Sequence, residues 1–153
     1  QPVEAQTDAI VVVLGSGRFA VDLASVAEVG RAPAVTRVPG LPTWLAGVAN
    51  WRGRILPVID LRTLLGAEAA ALDGRSRLLV LSNGNVVVGM LADAFEGTTM
   101  LSGDVAAFPP ASGPVGSALL SGQVPRDDGP IAVLDVTAVL RLRDQIPRGR
   151  RSA

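Results

Sequence analysis

Cysteine, histidine, tyrosine and lysine are all absent from the 153 residues. Without cysteine there is no disulfide, no thiolate nucleophile and no thiolate metal site. Without histidine there is no Ser-His-Asp triad and no imidazole ligand for a metal. Catalysis is left with Asp, Glu, Arg, Ser and Thr alone. An excess of charge of one sign is missing too: 14 cations, every one an arginine, balance 14 carboxylates. That balance gives no electrostatic case for a nucleic-acid partner or an anionic membrane surface. No apolar run approaches the roughly 18 residues that span a bilayer, so direct membrane insertion is not expected. The opening QPVEAQTDA has neither the charged nor the apolar region of a secretory signal. A cytoplasmic location is the resulting expectation.

What is present is the composition of a folded chain, 48% hydrophobic and 18% charged, with enough apolar material for one domain and its core. Residues 10 to 14 are β-branched or leucine, Gly15-Ser16-Gly17 suits a turn, and RFAVDL alternates as a second strand. RAPAVTRVPGLP carries Pro33, Pro39 and Pro42 and cannot be helical. TWLAG reads as one helical turn capped by Thr43. GVANWRGRILPVIDLRTLLG reads as a strand over 47 to 51, a tight turn at Arg52-Gly53, a strand over 54 to 59 and a short helix from Asp60 closed by Gly66. RLLVLSNGNVVVGMLAD is a hairpin about Asn83-Gly84-Asn85, AFEGTTML a strand, and residues 102 to 116 a long Ser-, Gly- and Pro-rich loop. A further hairpin turns at Asp127-Asp128-Gly129, and VTAVLRLRDQ is an amphipathic helix. Residues 1 to 8 and a basic tail over 144 to 153 are expected to be loose, with one domain over 9 to 143. Strands dominate and helices are short, which gives an all-β class with small barrels favoured over an open parallel sheet.

One pattern recurs. An apolar strand ends in Asp and a short apolar-periodic segment follows, in FAVDLASV, PVIDLRTLL, GMLADAF and AVLDVTAVL. Asp22, Asp60, Asp93 and Asp135 are so placed to accept backbone N–H bonds at a turn or helix start. Their spacing, roughly 35 to 40 residues, hints at repeated β units. No two of them form a close ligand pattern, and strand exit explains each without catalysis or a metal. Gly15-Ser16-Gly17 runs on to Ala20 as G-x-G-x-x-A after a strand, the opening of a dinucleotide site. Such a site needs a long helix next and an acid about 20 residues on. Here a valine-rich segment follows, and AVTRV stands where the acid belongs. A nucleotide-binding enzyme is therefore the weaker reading and a hairpin turn the stronger, and no cofactor is expected. Glu28, Arg52, Arg54 and Arg62 lie in or beside apolar strands, where a charge is solvated, paired across strands or part of a partner surface. Trp44 and Trp51 read equally as half-buried core or as interface anchors.

The run VTRVPGLPTWLAGVANWRGRILPVIDLRTLLG, residues 35 to 66, resembles the core signature of the CheW-like domain family: V-T-x-[IV]-P, then G-V-x-N-x-R-G-x-[IV]-x-P-[VI]-[IV]-D-L-R. VLGSGRFAVDLASVAEV resembles the family's opening strand pair with V-x-E-[IV], VVVGMLADAFEG its V-G-[LM]-x-V-D-x-V, and GPIAVLDVTAVL its last strand and helix. The resemblance covers roughly residues 9 to 142. It implies two small five-stranded SH3-like β-barrels packed on a common core. It implies a non-enzymatic adaptor that couples the cytoplasmic tips of methyl-accepting chemoreceptors to the regulatory domain of a CheA-type histidine kinase. Carried over by position, Glu28 and Arg52 are the charged pair beside the receptor-binding groove, with Val26, Asn50 and Gly53 as their neighbours. Trp51 stands where an aliphatic residue is common and Trp44 where Phe is. These departures leave the pathway open: chemotaxis, another sensory or motility system, or one domain of a larger adaptor or kinase.

Overall fold

The structure, a computed structural model, describes residues 6–62, 64–66, 71–102 and 118–146. In chain order the strands are β1 (Thr7–Leu14), β2 (Gly17–Asp22), β3 (Val26–Arg31), β4 (Leu45–Trp51), β5 (Arg54–Ile59), β6 (Arg77–Asn83), β7 (Val86–Ala92), β8 (Ala94–Leu101), β9 (Leu120–Val124) and β10 (Ile131–Leu134), and helix α1 (Val136–Arg141) follows. The turns expected at Gly15, at Arg52-Gly53 and at Gly84 all form. In the second, both residues take positive φ, 51° and 75°, as a two-residue turn matched to strand twist requires.

The strands make two five-stranded sheets, ordered β8-β1-β2-β10-β9 and β3-β6-β7-β5-β4, each curled into a small SH3-like barrel. The β1–β2 hairpin belongs to the first sheet, yet β3, β4 and β5 cross to the second. The β6–β7 hairpin belongs to the second, and β8, β9 and β10 cross back. The second barrel is thus one continuous stretch from β3 to β7, inserted between the β1–β2 hairpin and β8 to β10 of the first.

Burial follows from this. On β1, Ala9 and Val11 point into the first barrel, while Ile10, Val12 and Leu14 join a core shared by both. On β6, Leu78 and Val80 fill the second barrel, while Leu79 and Leu81 join the shared core. With both faces buried, these strands read as unbroken apolar runs rather than as alternations. Val136, Val139 and Leu140 of α1 complete the shared core.

The two halves of the chain repeat in register. Val26 pairs with Leu81 and Phe95 with Val12, each pair followed by a one-residue bulge; Val26 and Phe95 lie 69 positions apart. Leu45–Ile59 and Leu120–Leu134 pair identically 75 positions apart, again each with a bulge before a glycine. Asp60 N–H donates to the Trp44 carbonyl and Asp135 N–H to the Leu119 carbonyl, both at 2.7 Å. The repeat hinted at by the aspartates is thus real but twice as long as their spacing implied: one unit holds two of them.

Some local expectations differ. Thr7 and Asp8 are strand residues paired with Leu101 and Met100. TWLAG does not form a helical turn: Leu45 N–H bonds the Pro42 carbonyl in a tight turn, and β4 starts at Leu45. β-sheet pairing with β5 outweighs the weak local cap. The segment after Asp60 makes a single turn, with Leu65 N–H on the Leu61 carbonyl and Gly66 at φ 71°. Most of the loop expected over 102 to 116 and the end of the basic tail lie outside the described residues.

Candidate functional site

The residues singled out as a partner surface meet at one seam. β3 and β4 are the two edges of the second sheet, and Glu28 sits on β3 while Arg52 sits in the turn between β4 and β5. The Arg52 Nη2 lies 2.6 Å and its Nε 3.1 Å from Glu28 Oε1. One oxygen thus accepts both donors across the gap between sheet edges. Asn50 Oδ1 accepts the Gly53 N–H at 3.1 Å, which ties the turn to β4. Gly53 needs its positive φ, and Arg52 is the one non-glycine residue with positive φ among the described residues. Val26 is half-buried against the shared core, at the point where β3 leaves the first barrel for the second. The structure therefore brings Glu28, Asn50, Arg52 and Gly53 into one local surface and sets Val26 one bulge along the same strand.

Trp51 adds what the motif reading left undecided. The Arg52 guanidinium carbon stands 5.4 Å from the centroid of its ring, a cation–π distance. Its indole packs against the second barrel's interior. The indole N–H is buried and makes no hydrogen bond of good geometry, although it faces Glu28 closely enough to favour that carboxylate's charge. Arg52 remains 70% exposed and Glu28 36%. The hydrogen bond from Arg52 holds the Glu28 carboxyl below the usual carboxylate range. An exposed pair of this kind contributes little to folding; its chemistry is to present a fixed fork of donors and a fixed acceptor at the surface.

A second charged cluster lies inside. Arg62 is 5% exposed. Its Nε and Nη2 grip both oxygens of Asp60 at 2.9 and 2.8 Å, and its Nη1 reaches Asp93 Oδ1 at 2.8 Å. The other oxygen of Asp93 accepts the Gly15 N–H at 2.7 Å. Asp60 ends β5 of the second barrel, and Gly15 turns the β1–β2 hairpin of the first. The D-L-R part of the signature and the glycine turn are thus two ends of one connection between barrels. The donor that a phosphate would need at Gly15 is already engaged by Asp93. Among the described residues no group of three or more His, Cys, Asp or Glu is arranged to hold a metal ion.

Burial disfavours the Asp60 charge, but hydrogen bonds from the Arg62 side chain and backbone outweigh it and lower the carboxyl's pKa. The hydrogen bond to Asp60 in turn raises that of Arg62. A lowered pKa in the folded state means that the unfolded chain binds the proton more readily. The contribution of Asp60 is therefore complete above the ordinary Asp value of about 3.9 and is lost as pH falls through its lower folded value. Urea midpoints should fall on going from pH 5 to pH 2, and Asp60→Asn should show a shallower fall over that interval. An equal acid slope in both chains would contradict the assignment.

Of the four strand-end aspartates, Asp22, Asp60 and Asp135 cap as expected, accepting N–H bonds from Ala24, Arg62 and Ala138. Asp93 does not, because its carboxylate points back to another hairpin.

The chain matches the CheW-like domain over residues 8–144. It is 34% identical over 111 residues to protein FrzA of Myxococcus xanthus, covering 72% of this chain and 69% of that one. It is 39% identical over 84 residues to protein PilI of Pseudomonas aeruginosa, covering 55% of this chain and 47% of that one. It is 30% identical over 95 residues to the chemotaxis protein CheW of Klebsiella aerogenes, covering 62% and 57%. The matched stretches thus span about half the length of the last two. The fold is that of the scaffolding protein TtCheW from Thermoanaerobacter tengcongensis, with a TM-score of 0.77, 24% identity and coverage of 88% of this chain and 86% of that one. Signature, paired barrels and sequence relatives agree, and the chain belongs to the CheW-like domain family.

Proposed function

We propose that this protein is a non-enzymatic adaptor of the cytoplasm that couples chemoreceptors to a CheA-type histidine kinase. The observation that carries this reading is the Glu28–Arg52 pair: a charged, oriented and exposed element that joins the V-x-E-[IV] and N-x-R-G motifs at the seam of the second barrel. A surface with few charges, held in fixed geometry beside aliphatic residues, suits specific protein docking rather than turnover. Val26 offers the aliphatic contact, Arg52 and Glu28 the polar register, and Asn50 and Gly53 the turn that holds Arg52 in place. The coupling unit is the domain over residues 9 to 143. Its two partners are the cytoplasmic tip of a methyl-accepting receptor and the kinase's regulatory domain.

Calorimetric titration with a receptor-tip fragment and with a kinase regulatory domain tests the reading. The expected result is binding to both. Arg52→Glu should leave the circular dichroism spectrum unchanged and weaken receptor-tip binding at least tenfold, about 1.4 kcal/mol, because two carboxylates then face each other. Failure to bind either partner would overturn the proposal. Unfolding of Arg52→Glu would make Arg52 structural. The relatives named PilI and FrzA support a second reading, the same coupling part in another sensory or motility system. Binding to the kinase domain of such a system, without binding to a chemotaxis kinase, would select it.

A further inference from the structure

The internal repeat sets Asp135 on Asp60 and Thr137 on Arg62, 75 positions apart. In the first half, the arginine fills its site and Asp60 grips it with both oxygens. In the second half, the short Thr137 stands there, and the side chain that would occupy the site is missing. A cleft of about 440 Å³ opens at this place, lined by Asp22, Ser25, Ser121, Asp135 and Thr137 among others. The second carboxylate is conserved in effect but not in position. The counterpart of Asp93 is Ala24, and Asp22, two residues earlier on the same chain segment, supplies the acid instead.

Each carboxylate is held ready by one oxygen. Asp22 Oδ1 accepts the Ala24 N–H at 3.0 Å, and Asp135 Oδ1 accepts the Ala138 N–H at 3.1 Å. Both residues line the cleft, and among the described residues neither aspartate carries an ion pair. The hydroxyls of Ser25, Ser121 and Thr137 add acceptors around them. The related site holds a planar guanidinium on the aspartate at the same strand register, although a turn follows Asp60 where helix α1 follows Asp135. Arginine fits such a frame better than lysine because its fork of donors meets a carboxylate in two parallel bonds.

We infer that the cleft between Asp22 and Asp135 is a receptor for an arginine side chain of a partner protein, supplied in trans where the other half of the chain supplies Arg62 in cis. The cleft shares no lining residue with the Glu28–Arg52 pair or its turn, although Ser25 adjoins Val26, and the inference does not depend on the coupling reading.

The test titrates the full chain with argininamide and, separately, lysinamide at equal ionic strength, following backbone amides by heteronuclear NMR. Argininamide should give saturable shifts at the Ala24 and Ala138 amides, half-complete at about 1–10 mM as for a single weak site. Lysinamide should be several-fold weaker. Asp22→Asn and Asp135→Asn keep the caps, since Asn caps as Asp does, and each should reduce the response. Thr137→Arg should place a guanidinium in the cleft from within, raise Tm and abolish the argininamide response. Three results would each overturn the assignment: no saturable shift, equal response to both amides, or an unchanged response in Thr137→Arg.

Discussion

Arg62→Ala is expected to lower the unfolding free energy by roughly 3–5 kcal/mol, the cost of breaking a buried ion pair from one side. For a domain of this size, that corresponds to a fall in Tm of about 6–20 °C. The cause is not the lost attraction itself. Asp60 and Asp93 have side chains only 15% and 18% exposed, and without the guanidinium two carboxylates face each other with little water. The substitution also cuts the link from β5 through Asp93 to the Gly15 turn, so both barrels lose a tie. Urea unfolding at pH 7 measures the loss. Adding Asp60→Asn and Asp93→Asn to Arg62→Ala should recover part of it, because the stranded charges go. A loss under about 1 kcal/mol for Arg62→Ala would show the cluster to be solvated like a surface pair.

Gly47→Ala should cost about 2–4 kcal/mol, in the range of strained or overpacked backbone sites. Gly47 has φ 148°, and a methyl group built there would strike the Thr36 carbonyl oxygen and come within 2.8 Å of its carbon and 2.9 Å of Val35 Cγ1. That carbonyl is not free to retreat. Thr36 and Val48 exchange two backbone hydrogen bonds, at 2.8 and 2.9 Å, which pin the proline-rich segment to the edge of β4. The methyl group must break that bridge or distort the bulge between Leu45 and Gly47. Gly53→Ala is the matched control: its φ is 75°, yet nothing lies within 4 Å of the added methyl group. Its cost should stay near 1 kcal/mol, the conformational term alone. Chemical denaturation of the two variants side by side separates steric clash from backbone preference. Equal losses would mean that Thr36 yields without resistance.

Much of the local structure was legible because its causes are local. The turns at Gly15-Ser16-Gly17 and Arg52-Gly53 follow from φ requirements that a few residues satisfy by themselves. The caps at Asp22, Asp60 and Asp135 follow from side chains that reach only two or three residues on. The TWLAG turn was misread for the same reason in reverse: a plausible local cap gave way to pairing with β5, 14 residues along at Leu45–Ile59.

Asp93 marks the limit. Its sequence context matches that of Asp22, an apolar strand and then an acid, and local reading treats the two alike. The repeat places Asp93 opposite Ala24, two positions further along, and that offset turns its carboxylate to the Gly15 N–H of the other barrel and to Arg62. Family resemblance located Glu28 and Arg52 as a pair; Trp51 could be read there as core or as interface anchor, and the structure packs it against the second barrel's interior with the Arg52 guanidinium over its ring.

By itself, then, the sequence determined the strand and turn inventory, the exclusion of histidine and thiol chemistry, and the family's signature positions. These depend on residue type and short spacing. Only the tertiary structure decided that β3 and β8 change barrels, that Arg62 is buried between two aspartates, and that Thr137 leaves open the place Arg62 fills. Each of these depends on which strand lies beside which, and pairing between residues 46 or more positions apart, as between β3 and β6 or β1 and β8, is settled by burial of both faces of the sheets at once rather than by any stretch of chain alone.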